Sequence, residues 1–292
     1  MYQKNTQFIF CVKCKGKLTL EVLDEMSEIT EGFLHCKKCH LKFPIISKIP
    51  IMIENLSQFL GNRSSLGGFL LKSSLTKSMK YFIKQTMSKI QKSNNDFFQI
   101  EKYWTNIYLS NRNSSFYKTI KSHLSQITPK TFVIEYGASI GIISNTLGLK
   151  HTHVFGVDTS FSALLEAKKK SPGNSEYILA DILQHPFGKK KFDLIIALNL
   201  FELVEPVLLL KTISSQISNG VIFLSDPYDY VRGKNSVKKP LNQNQIRETL
   251  YQNKFQITKT TKTPSKINWN LKINERTNLI YKVDVISARK FS

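Results

Sequence analysis

The sequence predicts an α/β protein: an open, mostly parallel sheet with helices on both faces, preceded by a small β-rich module that carries four cysteines. The sheet is predicted by apolar runs typical of buried parallel strands, which recur with helix-like segments between them. The small module is predicted by the cysteines, which all fall within residues 11–39. At 292 residues, the chain is long enough for one full domain and a small satellite.

Polar residues end four of the apolar runs of the predicted sheet. The first run begins at Thr131 and ends in Glu135. The second ends in Asp158 and the third in Asp181, each 23 positions further on, and the fourth ends in Asn199. Because the carboxyl ends of parallel strands meet at one edge of a sheet, we expect these side chains to form a nucleoside-binding site. The alternative, an ordinary α/β domain whose strand ends happen to be acidic, stays open.

A loop of small residues follows the first strand. Gly137 and Gly141 let the backbone turn tightly and approach a ligand closely. A carboxylate at the end of the second strand can accept hydrogen bonds from both hydroxyls of a ribose, which is the role predicted for Asp158. We expect Asp181 to accept from an adenine amino group. Glu135 is expected to fix the loop or to reach the ligand's amino group through water.

The loop has the pattern E-x-G-x-S-x-G and lacks the third glycine of the dinucleotide fingerprint, because residue 144 is a serine. It resembles the first motif of the class I S-adenosylmethionine (SAM)-dependent methyltransferases, and the resemblance runs over residues 129–292. It implies a seven-stranded Rossmann-like sheet with the last strand inserted antiparallel, where a dehydrogenase would continue with parallel units. Ser139 stands where many members have glycine. By this resemblance the cofactor-binding residues are Glu135, Gly137, Ser139, Gly141, Asp158, Asp181, Ile182 and Asn199.

The four cysteines form two C-x2-C pairs with 21 residues between them, which is the spacing of a zinc ribbon. Four thiolates give a closed, structural site for Zn²⁺, and the predicted ligands are Cys11, Cys14, Cys36 and Cys39. His35 and His40 flank the second pair as less favoured substitutes. No secretory signal precedes the cysteines, so a cytoplasmic protein with reduced thiols is expected rather than two disulfides. The segment after the second pair resembles the small zinc-ribbon proteins that activate tRNA and release-factor methyltransferases.

The composition is strongly basic, with 42 Lys and Arg against 21 Asp and Glu and a net charge of +21. No acid occurs from Asn55 to Asn95, while seven basic residues do, the last of them Lys92. Such an excess favours a polyanion such as RNA, although lysines on solvated faces are the alternative. Between Leu75 and Ile90 the apolar residues fall on one side of a predicted helix. We expect that side to pack on the protein, with RNA or a membrane surface as alternatives. No run is long enough to span a membrane.

These patterns divide the chain into a zinc ribbon at 1–54, a helical connector and cofactor lid at 55–128, and a methyltransferase domain at 129–292. The methyl acceptor is expected beyond the fourth and fifth strands. There the candidate catalytic residues are Asn199, Glu202, Asp226 and Tyr228. The fourth strand lacks the Asn/Asp-Pro-Pro-aromatic motif that binds planar amide or adenine amino groups in several families, which disfavours an exocyclic-adenine or glutamine acceptor.

Three functional hypotheses remain. The first is an RNA methyltransferase, in which the ribbon and the basic surfaces bind the polyanion. The second is a small-molecule N-methyltransferase, because residues 225–230 and 268–276 faintly resemble modules that methylate mercaptohistidine in ovothiol synthesis. In that case Trp269, Arg276 and Tyr228 would line a compact pocket. The third is a non-catalytic module with the SAM-binding fold, which only the departure at Ser139 supports.

Overall fold

The computed structural model describes residues 1–90, 96–231 and 237–291. The amino-terminal module is a four-stranded antiparallel sheet that follows a 3-10 helix, Gln3–Phe8. Its strands pair in chain order: β1 Leu18–Glu25, β2 Ile29–Cys36, β3 Lys42–Ile46 and β4 Ile49–Pro50. The sequence between the two cysteine pairs, with an acidic turn between two apolar stretches, predicts a hairpin, and the structure contains it as β1 and β2.

Helices connect this module to the larger sheet. They are α1 Leu56–Gly61, α2 Ser64–Ser73, α3 Lys77–Ser88, α4 Phe97–Ser110 and α5 Ser115–Ser125. Met79 and Ile83 of α3 are fully buried, and Phe82 packs its ring 5.1 Å from that of Phe33 in β2. The apolar side of α3 therefore packs on the protein itself, as the sequence favours. Lys92, the last basic residue of the acid-free stretch, lies outside the described residues.

The larger sheet has the strand order β10-β12-β9-β8-β5-β6-β7. Its strands are β5 Phe132–Tyr136, β6 His153–Asp158, β7 Ser175–Leu179, β8 Leu194–Leu198, β9 Gly220–Asp226, β10 Phe255–Ile257 and β12 Asn278–Lys290. Strands β5 to β9 are parallel neighbours, and β12 is inserted antiparallel between β9 and β10. This seven-stranded arrangement confirms the predicted fold class. An eighth strand, β11 Ile267–Lys272, pairs with the first half of β12.

Both faces of the sheet are covered, which explains why its strands are apolar without alternation. The remaining helices are α6 Ile142–Leu147, α7 Phe161–Lys169, α8 Pro206–Gln216 and α9 Gln243–Gln252. Neighbouring residues of β5 point to opposite faces. Val133 joins a cluster with residues of α5, α6 and β11, whereas Ile134 joins a cluster with residues of α8, α9 and the amino-terminal module.

The amino-terminal module takes part in the core of the larger sheet. The connection from β7 to β8 contains only a 3-10 turn, Ile182–Gln184. The module packs on the sheet face beside it, where Ile9, Leu34 and Phe43 share a buried cluster with Ile134 and Phe155. The chain after β4 also extends the sheet edge, because Ile51 pairs with Leu179 in parallel and the N–H of Met52 donates to the Leu179 carbonyl at 2.7 Å. Module and sheet are therefore packed together.

The structure differs from the sequence predictions at two places. The sequence predicts a helix from Pro206 to Ser218 closed by a capping glycine, but α8 ends at Gln216 and Gly220 is the first residue of β9. A Cβ at Gly220 would lie 2.6 Å from the Asp193 carbonyl oxygen, so close packing explains that glycine. The second difference is β11, which the sequence does not predict. No helix within the described ranges has the length and apolarity needed to cross a membrane.

Candidate active site

The loop between β5 and α6 has a left-handed backbone at three positions: Gly137 with φ 70°, Ser139 with φ 46° and Gly141 with φ 72°. A Cβ at Gly141 would lie 2.5 Å from the Tyr177 hydroxyl oxygen, so no larger residue fits there. Ser139 adopts a left-handed backbone conformation that is strained for serine and that a glycine would adopt freely. Its N–H donates to Asp158 Oδ2 at 2.8 Å, which ties the loop to the end of β6.

Glu135 lies beneath this loop with 3% of its surface exposed. Its Oε2 accepts from the Ser144 N–H at 2.8 Å and from the Ser144 hydroxyl. Burial raises the pKa of the Glu135 carboxyl to about 8, and the two bonds from Ser144 oppose that shift. Glu135 thus fixes the first turn of α6 behind the loop, and its predicted role in fixing the loop itself stays a prediction. Contact with a ligand stays a prediction.

Asp158 and Asp181 follow adjacent strands at the same edge of the sheet. Asp158 accepts from the N–H groups of Ser139 and Ser160, each at 2.8 Å, and its own carbonyl accepts from the Ala180 N–H at 3.1 Å. Burial raises the pKa of the Asp158 carboxyl, and those N–H groups oppose the shift. Asp181 is exposed and accepts from the Leu183 N–H at 2.8 Å, while Ile182 is buried. Each carboxylate has further acceptor positions for a ligand's hydroxyl or amino group.

A cavity of about 500 Å³ lies beside Asp181. Thr159, Asp181 and Gln184 line it from the sheet, and residues between Ile53 and Arg63 line it from the connector. Its volume lies within the range of small-molecule sites. The left-handed loop, the two acids and this cavity together fit an adenosine-bearing cofactor.

The connector contributes polar residues that the sequence analysis missed. Arg63 Nη2 lies 2.7 Å from Glu101 Oε1 in α4, and both side chains are largely buried. Arg63 also lies over the Phe59 ring, with its guanidinium carbon 4.0 Å from the ring centroid. Arg63 and Glu101 are 38 positions apart and belong to no motif, so a single sequence carries no signal that would join them.

The four candidate catalytic residues lie after β8 and at or after the end of β9. Asn199 has φ 56°, and its side-chain oxygen accepts from the Ser225 hydroxyl at 3.0 Å. Asp226 is fully buried. It accepts hydrogen bonds from the backbone N–H of Phe201 at 2.8 Å and from that of Tyr228 at 2.7 Å. It therefore holds together the two loops that carry the candidates. Glu202 is buried, with 7% of its surface exposed.

Tyr228 has φ 56°, and its hydroxyl donates to Asp284 Oδ2 at 2.9 Å. Arg247 binds the same carboxylate through Nη1 at 2.6 Å. Burial and the negative charge of Asp284 raise the pKa of Tyr228 far above its usual value, so its hydroxyl stays protonated at neutral pH. The contacts of Asp226 and Tyr228 stabilise the loops after β8 and β9. A catalytic role for any of the four candidate residues stays a prediction.

The pocket expected for a small-molecule acceptor has its residues on different parts of the fold. Trp269 lies in β11 and stacks on Tyr108 of α4, with ring centroids 6.2 Å apart. Tyr228 packs on the other buried cluster, with α8 and α9. Arg276 is exposed in the turn between β11 and β12. The structure does not bring these three side chains together.

The four cysteines converge at the ends of the first hairpin, with all their sulfur atoms within 4.8 Å of one another. The Sγ atoms of Cys11 and Cys39 are 3.4 Å apart, and those of Cys14 and Cys36 are 3.3 Å apart. Four sulfurs around zinc at 2.3 Å would be separated by about 3.8 Å, so the set fits a tetrahedral ion.

The two cysteine turns have the same geometry. The N–H of Lys15 donates to the Cys11 carbonyl and that of His40 to the Cys36 carbonyl, each at 2.9 Å, and both donors have a positive φ. His35 Nε2 lies 2.6 Å from Glu21 Oε2. Within the described ranges, the cluster of possible metal ligands around these sulfurs consists of the cysteines alone, as the sequence favours over the histidines.

Comparisons with known proteins agree with this geometry. Residues 134–224 match a family model described as a methyltransferase domain. No curated protein matches the sequence. Among solved structures, the fold is similar to that of magnesium protoporphyrin IX methyltransferase from Synechocystis PCC 6803 with bound SAH, with a TM-score of 0.51 and 16% identity over 67% of this chain and 96% of that one.

A second similar structure is the N-methyltransferase NodS from Bradyrhizobium japonicum WM9, with a TM-score of 0.48 and 12% identity over 62% of this chain and 99% of that one. The family match covers the strands that contain Glu135 and Asp158 and the strand that precedes Asp181. The seven-stranded order with its antiparallel insertion is the arrangement that the sequence resemblance implies. The chain therefore contains a segment that matches a methyltransferase domain, within a sheet of this strand order and preceded by a four-cysteine ribbon.

Proposed function

We propose that the protein binds SAM at the carboxyl edge of its large sheet and transfers the methyl group to an acceptor in RNA. The observation that carries the cofactor assignment is the left-handed loop tied to Asp158, with Asp181 on the next strand. In this proposal Asp158 accepts from the ribose hydroxyls and Asp181 from the adenine amino group. The loop from Gly137 to Gly141 allows close approach of the methionine part.

The bound cofactor supplies a methyl group on a sulfonium, which is already activated for transfer. The main tasks of the chain are then to place the acceptor in line and to exclude water. Asp226 supports these tasks by fixing the loops after β8 and β9 through the N–H groups of Phe201 and Tyr228. The protonated Tyr228 is unsuited to act as a general base, which leaves Asn199 and Glu202 as the proposed acceptor contacts.

The assignment of RNA as acceptor is supported by the surface formed by the ribbon and α3. Lys77, Lys80 and Lys84 are exposed on α3, and Tyr81 between them is 64% exposed. A groove of about 370 Å³ separates α3 from the ribbon, and Lys13 and Lys89 line it. Lysines interleaved with an exposed aromatic ring suit phosphate contacts and base stacking on a single strand.

This groove leads towards the cofactor cavity. Glu54 and Asn55 line both. Glu54 is the acid at the groove, and its Oε1 lies 3.1 Å from Lys13 Nζ, which compensates its charge. A polyanion on α3 would thus extend from the ribbon to the mouth of the site, as expected of an RNA substrate rather than a metabolite.

We assign a separate role to each of the three segments predicted from the sequence. Residues 1–54 bind Zn²⁺ and part of the RNA, residues 55–128 cover the cofactor and present α3, and residues 129–292 carry the chemistry. A cytoplasmic setting, in which thiols stay reduced, is part of this proposal.

The test is transfer of tritium from labelled SAM to a cell extract by the zinc-loaded full-length protein, with and without nuclease treatment. The proposal expects label in large polyanions that nuclease converts to small fragments. Label in nuclease-resistant small molecules would support the metabolite alternative instead. Label in neither fraction, together with intact cofactor binding, would favour the non-catalytic module. The matched control is Asp158→Ala, which should transfer little label to any fraction.

A further inference from the structure

The buried ion pair between Arg63 and Glu101 leaves one carboxylate oxygen without a hydrogen bond. Both contacts of Arg63 are made to the same oxygen, Glu101 Oε1. Arg63 Nε donates to it at 2.8 Å, and Arg63 Nη2 lies 2.7 Å from it. Glu101 Oε2 is buried and has no hydrogen-bond partner among the residues that the structure describes. A buried acceptor without a donor destabilises the fold, and more so when it is charged, so a donor is expected at this atom.

Glu101 stands in an environment that makes this oxygen a strong acceptor for an incoming donor. Burial raises the pKa of its carboxyl, and the negative charges of Asp158 and Asp96 raise it further, while Arg63 opposes these effects. Two acids near each other are better tolerated when hydroxyl groups donate to both.

The fold directs Glu101 to the loop that carries Asp158. One turn further along α4, the Thr105 hydroxyl oxygen lies 3.0 Å from that of Ser162. Ser162 is two residues after Ser160, whose N–H donates to Asp158. Arg63, the partner of Glu101, lines the cavity together with Thr159 and Asp181. Glu101 is thus linked to the cavity wall through Arg63 and to the loop after Asp158 through α4.

We propose that Glu101 is a second ribose-binding carboxylate, whose Oε2 accepts a hydrogen bond from a hydroxyl of the cofactor's ribose beside Asp158. Arg63 acts as its positioning residue by holding Oε1. This inference rests on the proposed function, because it assumes an adenosine-bearing cofactor at this edge of the sheet. It adds a residue from the connector, 57 positions before Asp158, to the set that the strand-end pattern identifies.

The test compares two ligands on the zinc-loaded full-length protein by calorimetry: S-adenosylhomocysteine (SAH) and its 2′,3′-dideoxyribose analogue. Glu101→Gln should weaken SAH binding about tenfold, as expected for one hydrogen bond to a charged acceptor. The analogue has no ribose hydroxyl to donate, so it should bind the wild type and the variant equally. Arg63→Gln should show the same dependence on the ligand. Glu166→Gln, a glutamate paired with Lys169 on the surface of α7, is the matched control and should bind both ligands as the wild type does.

Equal weakening of both ligands would overturn the proposal, because it would mean that the ion pair only supports the fold. Unchanged SAH binding by Glu101→Gln would overturn it as well. Should Glu101→Gln fail to fold, Glu101→Asp, which keeps the charge but withdraws the carboxylate, replaces it with the same expected dependence on the ligand. Failure of the wild type to bind SAH would refute the proposed function. Binding by the wild type without the expected effect of Glu101→Gln would refute only the role of Glu101, so the two failures are distinguishable.

Discussion

Replacing Glu135 by glutamine should change how the stability of the protein depends on pH. Glutamine keeps the shape of the side chain and a carbonyl oxygen that can accept from Ser144, but it does not ionise. In the wild type, burial raises the pKa of the Glu135 carboxyl from 4.5 to about 8. The folded chain therefore holds a proton there that the unfolded chain releases over the same pH range.

The sign of the effect follows from this difference. Glu135 contributes its full stability below about pH 4.5, and that contribution is lost as the pH rises through 8. Within this window each pH unit lowers the free energy of unfolding of the wild type by up to about 1.4 kcal/mol. Between pH 5.5 and 7.5, Glu135→Gln should therefore gain roughly 2–3 kcal/mol relative to the wild type.

The assay is urea unfolding of both proteins at pH 5.5, 6.5 and 7.5, without cofactor and at constant zinc. The difference between the two unfolding free energies removes the contributions of all other titrating groups. Glu248→Gln, which removes an exposed carboxylate on α9, is the control and should follow the wild type. A constant difference between Glu135→Gln and the wild type over this range would refute the reasoning, because it would mean that Glu135 does not titrate there.

Three further predictions concern the cofactor, the metal and the basic surface. Asp158→Ala should weaken SAH binding by about 1–3 kcal/mol in calorimetry, through lost ribose bonds and a loosened loop; unchanged affinity would remove Asp158 from the site. Cys36→Ser should release zinc and lower the melting temperature of the whole chain, because the ribbon and the large sheet share one buried cluster; an unchanged melting transition would contradict that coupling. The double substitution Lys80→Ala with Lys84→Ala should weaken RNA binding. It should also make the slope of log K against log salt concentration shallower by about 0.7 for each lost phosphate contact. The control for this pair is Lys118→Ala with Lys259→Ala, two exposed lysines elsewhere, and an equal effect of both pairs would argue against α3 as the docking surface.

The pattern of apolar runs that end in polar residues predicted the α/β sheet because it depends only on neighbouring residues in the chain. Each apolar run is buried on both faces, and each ends at the edge where the chain leaves the sheet, so Asp158 and Asp181 could be placed from spacing alone. The cysteine pairs were equally informative, since two thiolates at C-x2-C spacing reach one ion only from a tight turn. The ribbon followed from such local rules, whereas the order of the seven strands was implied by the family resemblance.

The rest depends on contacts between segments that are distant in the chain. The pairing of Arg63 with Glu101, the packing of the ribbon on the large sheet and the placement of Trp269 beneath α4 are set by tertiary packing. Gly220 shows the same limit on a small scale, because it looks like a helix cap in sequence but is required by the nearby Asp193 carbonyl. Polar residues such as Asp226 are also ambiguous in sequence, where a catalytic acid and a loop anchor look alike.

The central claim is that the carboxyl edge of the large sheet binds an adenosine-bearing sulfonium donor. Calorimetric titration of the zinc-loaded full-length protein with SAH, and separately with NAD, tests it most directly. The account predicts saturable one-to-one binding of SAH, weakened in Asp158→Ala, and no binding of NAD. Binding of NAD without any heat from SAH would contradict it.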